Sequence, residues 1–96
     1  MSRYYIQTNF ENTVACVGWD DYICTYFVEL YLRWESEPVE RIGMTFLEIE
    51  SPMRLNYIMH EYFKLGLNLT AKLYSDRKKN PGIVGYFPLE LASTAK

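Results

Sequence analysis

With 96 residues and a net charge of −2, the chain has room for a single domain over residues 1–96. Hydrophobic residues at 49% and charged residues at 23% exclude a disordered polyelectrolyte, and no apolar run approaches the roughly 18 residues of a membrane span. Two cysteines are too few for a disulfide scaffold, and the opening Arg3-Tyr4-Tyr5 lacks the order of a secretory signal, so a cytoplasmic protein is expected.

Residues 4–7 read as a short opening strand, closed by a turn-like stretch over 8–12. Residues 13–17 form a second predicted strand that ends at Gly18. Trp19-Asp20-Asp21 then supplies turn chemistry, because Asp tolerates a tight backbone and bonds nearby amides. The longest predicted strand covers 22–34. Its even positions, Tyr22, Cys24, Tyr26, Val28, Leu30, Leu32 and Trp34, are all apolar or aromatic, and a period of two assigns them to the core face. Its odd positions mix Ile23, Phe27 and Tyr31 with Thr25, Glu29 and Arg33.

Glu35-Ser36-Glu37-Pro38 is a polar break, since Pro cannot donate to a sheet ladder. Residues 41–49 resume as a further strand, with Ile42, Met44 and Phe46 alternating against Arg41, Gly43 and Thr45, although Leu47 and Ile49 leave its register open. Ser51-Pro52 is a helix start: Ser caps open amides, and Pro in the first turn gives up no needed hydrogen bond. Leu55, Ile58, Met59, Tyr62 and Leu65 follow at helical spacing, and Gly66 supplies a left-handed terminator. Residues 67–74 alternate like a strand, yet Thr70 can cap a helix over 71–79 whose basic end suits the helix dipole. The helix is the reading adopted. Asn80-Pro81-Gly82 is a stop, and 83–87 read as a last short strand. The expected fold is α+β: an antiparallel sheet of three to four strands with one or two helices packed on one face.

The residue types disfavour most chemistry. The single His60 lies off the apolar stripe of its helix, where an exposed position is expected. Two Cys and one His do not complete a zinc site, and the five glycines match no phosphate-cradling pattern. Carboxylate pairs such as Glu48 and Glu50 occur in any acidic chain of this size. The expectation is therefore a protein that is not an enzyme and takes no cofactor or metal. Cys16 and Cys24 would face each other only across an odd-numbered loop, and two reduced core thiols are the favoured reading over a disulfide.

Ile23, Phe27 and Tyr31 repeat at every fourth residue on the odd face of the long strand, too apolar for open solvent and too interrupted by Glu29 and Arg33 for a deep core. Either a helix covers that row, or it anchors a partner, which is itself in a homodimer or another protein. Charge is also divided, with a balance of −6 over residues 1–50 and +4 over 51–96, which can orient such an association. The leading expectation is a small protein-interaction module, with a regulator or inhibitor from a mobile element as its specialised form. The alternative is a nucleic-acid-binding module that uses Arg77, Lys78 and Lys79 on phosphates and Tyr86 for stacking.

Two resemblances accompany these readings. The opening Met-Ser-Arg-Tyr-Tyr, Val17-Gly18-Trp19-Asp20, Tyr26-Phe27, and Leu65-Gly66-Leu67 followed by Asp76 and Asn80 resemble a family of small uncharacterised bacterial proteins. That likeness covers most of the chain and implies a second helix but no activity. Val84-Gly85-Tyr86-Phe87-Pro88-Leu89-Glu90-Leu91-Ala92 is similar to the closing motif of HIRAN domains, which implies binding of DNA ends.

Overall fold

The protein is described by a computed structural model over residues 2–33 and 35–80. Strands β1 (Tyr4–Gln7), β2 (Thr13–Asp20), β3 (Thr25–Leu32) and β4 (Glu40–Ile42) form one antiparallel sheet in the order β1-β2-β3-β4. Helices α1 (Pro52–Ile58) and α2 (Leu67–Lys79) follow and pack on one face, which makes the fold α+β. None of the described helices is long and apolar enough to cross a membrane.

Alternation in β3 sets the inner layer. Tyr26, Val28 and Leu30 point into a core shared with Ala15, Val17 and Trp19 of β2. From above, α1 and the chain after it contribute Leu55, Met59, Phe63 and Leu65, and α2 contributes Leu73. Trp19 and Tyr26 rings meet at 4.8 Å, the Tyr26 hydroxyl donates to the Leu73 carbonyl at 3.0 Å, and the Trp19 indole donates to the Asn80 carbonyl at 2.6 Å. Each polar tip thereby finds an acceptor while its ring is buried.

Several boundaries move from their sequence-based positions. β2 continues through Gly18 and Trp19 to Asp20 because those residues pair with Phe27, Tyr26 and Thr25. The reversal falls on 21–24, so Tyr22 and Cys24 are turn residues and not part of the strand. Cys16 sits across from Glu29, so it does not face Cys24; both thiols are buried. β4 stops at Ile42, where Gly43 takes φ 86 and lies against the Tyr26 carbonyl, with no room for a side chain. Residues 44–48 therefore leave the sheet, and Met44 and Phe46 are exposed where strand alternation had placed them in a pattern with Ile42.

α1 begins as read, with the Ser51 hydroxyl accepting from the Arg54 amide at 3.1 Å and Pro52 in the first turn. It ends at Ile58, shorter than the predicted stripe, and the Leu65 amide is taken by the Asn56 side chain at 2.9 Å as the chain turns back. Gly66 is extended (φ −75) and opens α2 instead of closing α1. α2 starts at Leu67, four residues before the expected 71, with the Thr70 hydroxyl bonded back to the Gly66 carbonyl at 2.8 Å. The predicted strand over 83–87 and the position of Trp34 lie outside the described residues.

Candidate functional site

Both helices occupy the face of Tyr26, Val28 and Leu30, so among the described residues no helix covers the opposite face of the sheet. That second face is built from Tyr5 of β1, Cys16 and Gly18 of β2, and Phe27, Glu29 and Tyr31 of β3, joined by Arg3 and Arg41. Its floor is apolar. Gly18, opposite Phe27, has no side chain, and the Phe27 ring and the Ser2 backbone fill the space a Cβ would take. Cys16 is fully buried between its partners Tyr5 and Glu29, and burial pushes its thiol pKa up.

Over that floor lies a polar cluster centred on Glu29. Its carboxylate accepts from Arg3 at 2.6 Å and from the Tyr31 hydroxyl at 3.0 Å, and Arg41 approaches to 3.4 Å. Arg3 also reaches the Tyr31 hydroxyl at 3.3 Å and spreads over the Tyr5 and Phe27 rings at 6.0 and 5.7 Å. The Tyr5 and Tyr31 rings stand 6.5 Å apart. Burial, with the bond to Glu29 second, raises the Tyr31 pKa, so its hydroxyl remains a donor. Past these rings a shallow cleft of about 320 Å³ runs between Tyr5, Tyr31, Arg33 and Glu35. Held by several contacts each, Arg3 and Tyr31 are pre-organised for contact with another surface.

The row expected on this face is only partly realised. Ile23 belongs to the 21–24 turn and is half-buried, so it does not share the row. Phe27 does lie on this face, but at 4% exposure it is floor and offers little to a partner. Tyr31 is half-buried and reachable. The most exposed aromatic of the face is Tyr5, at 63%, which the reading of β3 alone missed. Its signal was the period of two in β1, where Tyr4 and Ile6 take the helix side and Tyr5 must take the other.

Of the basic residues 77–79, Arg77 is committed to the fold: it donates to the Glu50 carbonyl and its guanidinium stacks over Trp19 at 5.3 Å. Lys78 and Lys79 are exposed, while Tyr86 and the segment 84–92 lie outside the described residues. His60 is exposed, its ring nitrogen 3.0 Å from the Tyr57 carbonyl. Among the described residues no three His, Cys, Asp or Glu side chains gather as metal ligands. No family model, curated protein or solved structure matches this chain.

Proposed function

We propose that this chain is a protein-interaction module that pairs with a second copy of itself through the sheet face opposite the helices. The observation that carries the reading is a sheet face that no helix among the described residues covers, on which exposed Tyr5 stands beside Tyr31, with Arg3 and Arg41 held in place by Glu29. Tyr and Arg are the residues that most often carry binding energy at the centre of an interface. A two-fold contact sets a surface against itself, so it needs both signs of charge on one patch. Here Arg3, Arg33 and Arg41 are interleaved with Glu29 and Glu35. A chain this short also has little core of its own, and a dimer buries more.

Light scattering on the eluting protein tests the reading. The wild type is expected at twice the chain mass, and Tyr5→Ser/Tyr31→Ser at the mass of one chain with its cooperative denaturant unfolding retained. Equal masses for both proteins would sink it. A peak that carries nucleic acid, stripped by salt, would instead move the function to Lys78, Lys79 and Tyr86.

A further inference from the structure

We infer that the end of the sheet formed by the 21–24 turn and the 43–49 loop is a second docking surface, for a cationic protein segment that carries a large apolar anchor. Four large apolar side chains are exposed there: Tyr22 at 83%, Met44, Phe46 at 54%, and Leu47. The 21–24 turn, to which the Leu47 amide is bonded, lies four or more residues along β2 from the level of Tyr5 and Tyr31, while Met44 borders one cleft with Arg3, Phe27 and Glu29. The two surfaces adjoin at Met44, and the inference does not require the dimer.

The segment that displays them is braced. One Glu48 carboxylate oxygen accepts from the Met44 amide at 3.0 Å, the Thr45 amide at 3.1 Å and the Thr45 hydroxyl at 2.9 Å. The Leu47 amide donates to the Ile23 carbonyl at 3.1 Å, which locks loop to turn. The Ile49 amide donates to the buried Thr25 hydroxyl at 2.7 Å, and the Ile49 carbonyl accepts from the Tyr26 amide at 3.0 Å. Leu47 and Cys24 both take left-handed backbone, at φ 60 and 55, which residues with a side chain adopt only at a cost. Leu47 thus combines an unfavourable backbone with an apolar side chain facing water. The cost of exposure is removed when a partner covers the patch.

Charge selects the partner. The segments 20–24 and 43–50 carry Asp20, Asp21, Glu48 and Glu50 and no cation. Among the described residues Arg3 and Arg77 border these segments: Arg3 is paired with Glu29 at 2.6 Å, and Arg77 lies at the Glu50 carbonyl and over the Trp19 ring, where it offsets only part of the acidic rim. An apolar patch with an acidic rim complements an apolar anchor flanked by Lys or Arg, and it repels an anionic lipid surface.

The test is a displayed random-peptide library selected on the wild-type protein, with counter-selection on Phe46→Ser/Leu47→Ser. Peptides that combine Lys or Arg with Phe, Trp, Leu or Met are expected to enrich. Synthetic copies followed by fluorescence anisotropy should bind the counter-selecting variant at least about tenfold more weakly. Asp20→Asn/Glu50→Gln should weaken them several-fold and flatten the salt dependence, while Tyr5→Ser/Tyr31→Ser leaves them unchanged. Tyr22→Ser repeats the measurement should the double variant not fold. Peptides without net positive charge, or equal affinity for all variants, would overturn the inference. So would loss of native mass in Phe46→Ser/Leu47→Ser, which assigns the patch to a second copy, or wild-type binding to phosphatidylcholine vesicles that this variant abolishes.

Discussion

Gly18 lets three parts of the molecule meet at one point. A methyl group built there would lie 1.9 Å from the Ser2 carbonyl oxygen and 2.7 Å from the Phe27 ring. The Ser2 amide also donates to the Trp19 carbonyl at 3.1 Å, and the Ser2 hydroxyl accepts from the Trp19 amide at 3.0 Å. Gly18→Ala is therefore expected to push the N-terminal segment off the sheet and cost about 1–3 kcal/mol by denaturant unfolding. The same change would disturb Arg3, so it should weaken the proposed pairing as well. Tyr26 makes a second single-residue prediction. Burial pushes its phenol up to about 12 from an ordinary 10.0, and its neutral hydroxyl donates to the Leu73 carbonyl. A raised folded pKa means that the stabilisation is complete below pH 10 and is lost as pH climbs toward 12. Tyr26→Phe should cost about 1 kcal/mol at neutral pH and remove part of that alkaline loss. Tyr4, also pushed up to about 12 by its bond to Asp76, adds to that loss, as do Cys16 and Tyr31, whose pKa values burial raises.

At the scale of elements, short connections decide where strands and helices stop. The 43–49 loop replaces the expected end of a strand because left-handed Gly43 turns the chain and the Glu48 carboxylate caps the amides that the ladder no longer uses. Burial works against ionisation of Glu48, but the bonds from Thr45 and from the backbone outweigh it and hold its pKa below the ordinary value of 4.5. A lowered carboxylate pKa is stabilising above the ordinary value and loses that effect as pH falls through the lowered one. Glu48→Ala should accordingly raise hydrogen exchange at the Met44 and Thr45 amides more than tenfold, with the amides of β2 unchanged. Uniform protection across the variant would contradict the bracing role. The hairpin shows the same logic: Asp20-Asp21 did signal a turn, but the eight-pair register with β3 carries β2 to Asp20 before the chain reverses.

The whole molecule is a sheet with two unlike faces. One carries α1 and α2 over an aromatic and aliphatic core, and the other carries the Arg3–Glu29–Arg41 cluster with Tyr5 and Tyr31. The divided charge of the sequence is also reshaped by folding. Arg3 and Arg41 meet Glu29 on the open face, and Arg77 caps the neighbourhood of Glu50. A dimer closed over the open face ties stability to protein concentration. The melting temperature should therefore rise by several degrees over a hundredfold increase in concentration for the wild type, and stay constant for Tyr5→Ser/Tyr31→Ser. A wild-type melting temperature independent of concentration would count against the pairing.

Periodicity, capping residues and turn chemistry by themselves determined the α+β class, β1, the inward face of β3 and the start of α1. These are local properties, set by side chains a few residues apart, such as Tyr26, Val28 and Leu30 on one face or Ser51 and Pro52 at one helix end. Only the tertiary structure decided that Phe27 is floor, that Ile23 leaves the row, and that Cys16 faces Glu29. It also decided that Gly66 opens a helix. Exposure and register depend on which distant segment arrives opposite a residue. At Gly18 that segment is the chain around Ser2, whose approach the missing side chain permits without specifying.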